Sequence, residues 1–198
     1  NKCTTSIGAK GENIDELKKK IENQVKKVLP LIKKYVFGYD DDELEDVIGK
    51  ILSKKNKTIS VAESCSGGNV SKTITALPGS SNYFIGGIVA YSNEVKVDEL
   101  KIGKELIERN GAVSKEVVEK MAEGIRKKFK SDIGLSTSGI AGPSGGTPEK
   151  PVGTVWIGYS DNKVTKSKKL NLTERRDLNI TLTTVNLLNL LRLSLKGD

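Results

Sequence analysis

The sequence contains no histidine. No Ser-His-Asp or Cys-His arrangement and no histidine-ligated metal can be built from this chain alone. A general base near neutral pH must therefore be a carboxylate, a tyrosine, or a lysine whose pKa is lowered by burial or by nearby positive charge. Cysteine is almost as scarce: Cys3 and Cys65 cannot form a disulfide framework and, with no histidine beside them, make a zinc site improbable. A reducing cytoplasm is the expected setting. Long apolar runs are missing too, none approaching the roughly 20 residues a membrane-spanning helix needs. The start, NKCTTSIGAKGEN, lacks the basic-then-apolar signature of a secretory signal.

What is present is positive charge. Lys and Arg number 33 against 25 Asp and Glu, a formal +8 in 198 residues, the length of one medium domain or a domain with a small appendage. Residues 1–45 are neutral, so the excess belongs to the rest. It gathers in 115–130, with Arg126, Lys127 and Lys128, and in Lys163, Lys166, Lys168, Lys169, Arg175 and Arg176. Only 5% of the residues are aromatic. A basic patch without interleaved aromatics reads as a solvated face, or as a field that draws in a small phosphorylated substrate, before it reads as a nucleic-acid surface. Gly8-Ala9-Lys10-Gly11 has the GxxG spacing of an RNA-clamping loop, but the pattern is too common to count.

Residues 13–35 place Ile14, Leu17, Ile21, Val25 and Val28 on one face of an amphipathic helix, with Pro30 expected to interrupt or kink it. A turn through 37–42 and a second helix over 43–52, capped by Asp42, put a boundary near residue 40. The piece before it, expected to hold one helix and one or two strands, is too short to bury much core alone. From 57 the pattern becomes strand, turn and helix. Strands are expected over 58–62, 83–91, 133–137 and 153–159. Helices are expected over 69–77, 94–100, 104–110, 114–129 and 175–193. Such alternation implies a sheet covered by helices on both faces, a three-layer α/β/α sandwich.

Three stretches could carry chemistry. Ala62-Glu63-Ser64-Cys65-Ser66-Gly67-Gly68 is a strand-to-helix turn whose N–H groups can take a phosphate or carboxylate; a capped connection is the equally weighted alternative. Ser81 precedes the strand over 83–91, while Tyr91 and Lys96 follow it. The strand thus starts Ser81 and Lys96 at opposite ends, and only the fold or a neighbouring subunit can bring them together. If it does, a neutral lysine can deprotonate the serine, the one nucleophile-base pairing available without histidine. The alternative is a turn serine and a solvated lysine. The loop Ser138 to Thr147 holds four glycines, allowing close backbone approach to a ligand, yet it is neither GxGxxG nor a Walker loop.

Four segments in this order, AESCSGG, PGSSNYFIGGIVAYSNEVK, NGAVS and SGIAGPSGGTPEKPVGTVWIG, closely resemble the C-terminal domain of the CinA family over about residues 43–195. That domain is similar to bacterial nicotinamide mononucleotide (NMN) deamidases. The resemblance implies hydrolysis of the NMN carboxamide to nicotinic acid mononucleotide and ammonia, without metal or cofactor, by a cytoplasmic homodimer. Residues 1–42, with AKGEN and KKYVFGYDDD, resemble the tail of the small α+β, KH-like segment that precedes this domain in longer members. Carried over by resemblance, the nucleophile is Ser81, the base Lys96 and the assisting hydroxyl Tyr91. Ser138 and the backbone of Gly139, Ala141 and Gly142 would contact the substrate or its oxyanion. Ser64, Ser66, Gly67 and Gly68 would line the nucleotide pocket.

The chain departs from the family near its C-terminal end. Members commonly have Gly-Asp-Arg and a second arginine four residues later; here the stretch reads Thr-Glu-Arg-Arg-Asp-Leu-Asn over 173–179. Arg175 is then the expected phosphate-binding or catalytic arginine, and Asn179 stands where the second would be. Three other readings stay open: Cys65 as nucleophile with Glu63 and Lys96, a pocket that binds pyridine nucleotides without turnover, and a nucleic-acid role linked to competence or damage.

Overall fold

The computed structural model describes residues 4–33 and 35–196, so Cys3 lies outside the described residues. The chain divides into two compact units, Asn1–Glu43 and Leu44–Asp198. In the first, Asn13 opens helix α1 (Ile14–Ile32), its Oδ1 accepting from the backbone N–H of Asp15 and Glu16 at 3.0 and 3.3 Å. Pro30 falls inside the helix but in its last turn, so the helix ends there rather than breaking in the middle. The expected α+β character of this unit does not emerge: among its described residues there is one helix and no strand. A segment this short has no partner strands with which to build a sheet.

The second unit is the sandwich. In chain order it comprises α2 (Leu44–Lys55), β1 (Ile59–Glu63), α3 (Asn69–Thr75), β2 (Phe84–Val89), α4 (Asn93–Leu100), α5 (Lys104–Asn110), α6 (Lys115–Phe129), β3 (Ile133–Gly139), β4 (Thr154–Ser160), β5 (Thr165–Asn171) and α7 (Arg176–Lys196). The sheet order is β2-β1-β3-β4-β5, with β1 parallel to both β2 and β3 and β4 antiparallel to both of its neighbours. Helix α6 packs on one face, flanked by α4 and α5; α7, α3 and α2 form the layer on the other.

Strand β5 was not expected from sequence. Its residues, TKSKKLN, look like a charged loop, and they pair only along one side because β5 closes the sheet. Lysines on a terminal strand remain solvated while Leu170 turns inward, 7% exposed.

The core follows from helical periodicity. Val117, Val118, Met121, Ala122 and Ile125 recur at one-turn spacing on α6 and are all fully buried on the sheet. The helix comes so close to β3 that a Cβ at Gly134 would collide with the Ala122 carbonyl. No helix among the described residues is long and apolar enough to cross a membrane.

This close approach is testable. Gly134→Ala must push α6 off the sheet, and overpacking of this kind destabilises by about 1–3 kcal/mol. The expected result is a lower midpoint in thermal or denaturant unfolding with folded-state circular dichroism retained; an unchanged midpoint would show that the layer yields freely.

Candidate active site

Three parallel strands, β1, β2 and β3, end at the same edge of the sheet, and the segments leaving them meet there. This is where α/β sheets bind ligands. They enclose a cleft of about 220 Å³ lined by Ser64, Cys65, Tyr91, Asn93, Lys96, Ala112, Val113, Ser138, Gly139, Ala141 and Arg176.

The turn after β1 is built around a buried carboxylate. Glu63 is fully buried and accepts five hydrogen bonds: from Ser66 Oγ (2.7 Å), the N–H of Gly68 and Val70 (3.0 Å each), and both the N–H (2.8 Å) and Oγ (2.7 Å) of Ser71. The three N–H donors belong to the N-cap and first turn of α3, whose N–H groups otherwise lack partners. The helix N-terminus that sequence reading offered to a substrate phosphate is thus occupied by the protein's own anion. Ser66, 2% exposed, completes the network by bonding Thr137 Oγ1 at 2.7 Å. Ser66, Gly67 and Gly68 shape the turn, while Ser64 alone of the predicted pocket residues here reaches the cleft. Its N–H donates to Thr137 O at 3.1 Å, tying the turn to β3.

Lys96 is the floor of the cleft and only 1% exposed. It lies in the first turns of α4, whose N-cap Ser92 accepts from the Val95 N–H. Its Nζ donates to the carbonyls of Ala90 (2.9 Å), Tyr91 (3.1 Å) and Ser92 (3.3 Å) and to Ser64 Oγ (3.4 Å). Burial holds its pKa below the ordinary lysine value, while the nearby Cys65 and Glu94 oppose that shift. A lysine so placed can take up a proton and return it.

Arg176, not the expected Arg175, supplies the second cation. Arg175 points away and pairs with Asp177 through Nη2 at 2.7 Å, both side chains about two-thirds exposed. Arg176 donates from Nη1 to Gly142 O at 2.8 Å and from Nη2 to the Tyr91 hydroxyl oxygen at 3.3 Å, joining the glycine-rich loop to Tyr91. Asn179, 1% exposed, holds the same loop from behind: its Nδ2 donates to Ala141 O (2.9 Å) and Thr173 O (2.8 Å), and its Oδ1 accepts from the Thr173 N–H and hydroxyl. Where the family pattern has a second arginine, this chain has a short amide fully engaged in main-chain support.

Ser138 and Gly139 line the cleft, but the Ser138 hydroxyl is committed to Ala112 O at 2.7 Å, leaving the backbone of this stretch as the surface a ligand would meet. Ala141 lines the cleft and Gly142 carries the carbonyl that Arg176 grips. Ser81, like Arg175, does not line the cleft. It lies in a single 3₁₀ turn, Ser80–Asn82, before β2, whereas Lys96 follows β2. The six residues of that strand span about 20 Å. The hydroxyl beside Lys96 within one chain is that of Ser64. Among the described residues no three Cys, Asp or Glu side chains are grouped as a metal site requires.

Residues 41–195 match the family model described as the CinA C-terminal domain. The chain belongs to the CinA family. It is 49% identical over 186 residues to a CinA-like protein of Cytophaga hutchinsonii, covering 94% of this chain and 44% of that protein. It is 45% identical, also over 186 residues, to a CinA-like protein of Dictyoglomus thermophilum, covering 94% and 45%. The chain thus spans less than half the length of these relatives. Among solved structures, the competence/damage inducible protein of Agrobacterium tumefaciens superposes with a TM-score of 0.75 at 31% identity, covering 81% of this chain and 98% of that one. The α/β sandwich is therefore the fold of the CinA superfamily.

The thiol reading of the cleft has a direct test. Cys65 is 6% exposed and burial pushes its pKa up to about 12, so at neutral pH it is a thiol, not a nucleophilic thiolate. Iodoacetamide at pH 8 should label Cys65 on the order of a thousandfold more slowly in the folded chain than in urea, followed on the peptide that carries it. Comparable rates would restore the thiol as a nucleophile.

Proposed function

We propose that this domain is a cytoplasmic amidohydrolase that converts NMN to nicotinic acid mononucleotide and ammonia, in the recycling of pyridine nucleotides, with Lys96 as general base for a serine hydroxyl. The observation that carries this reading is Lys96 itself: a lysine 1% exposed, at the floor of a cleft, with no carboxylate hydrogen-bonded to its Nζ and a hydroxyl within 3.4 Å. A structural lysine is ordinarily paired with an acid when buried.

In the reaction, the neutral Nζ takes the serine proton as the oxygen attacks the carboxamide carbon. The resulting oxyanion needs backbone N–H donors from the cleft wall at the end of β3, worth about 3 kcal/mol each in other acyl-transfer sites; the Ile140 N–H is not one of them, since it is given to Thr154 O at 2.9 Å. Lys96 then gives its proton to the leaving nitrogen, the C–N bond breaks, and ammonia departs. Water, deprotonated by the same amine, hydrolyses the acyl-serine and returns the enzyme. Arg176 and Tyr91 stand at the cleft mouth, where Arg176 can attract the phosphate of the nucleotide. The net +8 of the chain draws an anionic substrate toward it.

The decisive experiment is ammonia release from NMN. Lys96→Ala should lower kcat/KM on the order of 10³-fold. Ser64→Ala, which removes one hydrogen bond of about 1 kcal/mol from the base, should lower it only about fivefold. Because the base must be neutral, kcat/KM should rise with pH through a single ionisation below the ordinary lysine pKa and fall as that group protonates on the acid side. An unmodified chain that binds NMN but releases no ammonia would favour a sensor without turnover, a role the missing second arginine would suit.

A further inference from the structure

Between residues 140 and 153 the chain leaves the sheet and returns to it. The Ile140 N–H donates to Thr154 O at 2.9 Å and the Gly153 N–H to Ile140 O at 2.8 Å, so the two ends of this loop are pinned together. In its middle, Pro143, Ser144, Gly145 and Gly146 are exposed and make no hydrogen bond with any described residue. A stretch with so few contacts belongs to the least stable part of a fold unless something holds it. Two cations do. Arg176 donates to Gly142 O and reaches Tyr91, on the wall that follows β2. Lys150, on the returning limb, reaches a different wall: its Nζ donates to Asn110 O at 2.9 Å.

Lys150 is prepared for this contact from both sides. The turn that carries it is closed twice, the Thr147 N–H donating to Lys150 O at 3.0 Å and the Lys150 N–H to Thr147 Oγ1 at 3.1 Å. Asn110 is the last residue of α5, where carbonyl oxygens lack an intrahelical donor and a cation is favoured. Gly111, at φ +75°, leaves the amine room, since a Cβ there would sit 3.1 Å from Nζ. Among the described residues no carboxylate is bonded to this half-buried amine.

The contact is one of three that fix the same wall. Lys150 Nζ donates to Asn110 O, Ser114 Oγ at the start of α6 to Gly111 O at 2.8 Å, and Ser138 Oγ on β3 to Ala112 O at 2.7 Å. The next two residues of the wall, Ala112 and Val113, line the cleft, and their own N–H groups donate to no described residue. We propose that Lys150 is a positioning residue for the cleft, a latch that fastens the glycine-rich loop to the 110–113 wall so that both surfaces are in place before a ligand arrives. This rests on the reading of the cleft as the nucleotide site. Its consequence falls on binding: a chain without the latch orders the loop only as substrate enters, and its apparent affinity drops by the fraction of molecules already ordered.

Lys150→Met keeps the length of the side chain and removes its charge and its donors. KM for NMN should rise about tenfold with kcat unchanged, the pattern of lost preorganisation rather than lost chemistry. Lys150→Arg, which still donates to a carbonyl, should recover most of that loss. Amide hydrogen exchange read residue by residue by NMR should quicken in Lys150→Met at Gly111 and Thr147 together, with the circular dichroism of the folded chain retained. A cap that serves α5 alone would loosen Gly111 and leave both Thr147 and KM where they are, and that result would overturn the latch. Both amides loosened with KM unmoved would overturn its bearing on the cleft. If the unmodified chain releases no ammonia from NMN, it is the amidohydrolase reading that fails, and the paired exchange of Gly111 and Thr147 still decides the latch.

Discussion

A carboxylate buried at the end of a strand must find donors in whatever surrounds it, and Glu63 finds five of them in the next eight residues. That requirement sets the path of the turn. The chain has to curl so that Ser66, Gly68, Val70 and Ser71 all point inward, which starts α3 and leaves Ser64 on the outside of the curl, facing Lys96. The negative charge also lies against the positive end of α3, where the helix dipole favours it. The turn, the helix start and the position of the hydroxyl are consequences of one desolvated acid. The same acid explains why this helix terminus, attractive for a substrate phosphate in outline, is closed to one.

Much of the fold was legible because it rests on periodicity. Helix α6 announces itself through Val117, Met121 and Ile125, and β1 through Ile59, Val61 and Ala62, since burial demands a repeating apolar face. β5 was illegible for the opposite reason: a terminal strand is held by main-chain bonds on one side and keeps its lysines in water, so its sequence carries loop composition. The pre-helical turn and the glycine loop were visible as turns, yet whether a turn serves a ligand or only itself depends on what its N–H groups meet, and Glu63 is decisive only once its geometry is known.

The arginine that lines the cleft is one residue beyond the one the resemblance implies. Arg175 and Arg176 are adjacent, but α7 begins at Arg176 and successive helical residues diverge by about 100°. One arginine turns to Asp177 at the surface and the other to the loop. Motif alignment is blind to this one-residue change of phase. Asn179 belongs to the same change: one turn along, it supports the loop with bonds that a longer, charged side chain would make differently.

Lys96 is held by the carbonyl oxygens of three successive residues, Ala90, Tyr91 and Ser92. A cradle made of main chain has no side-chain identity. Substitutions at these three positions that preserve the backbone path leave the amine where it is, so under the proposed amidohydrolase reading the side chains lining the cleft can drift, or be redesigned for a different amide, without moving the proposed base. Main chain holds the amine, and side chains are left to shape the surface around it.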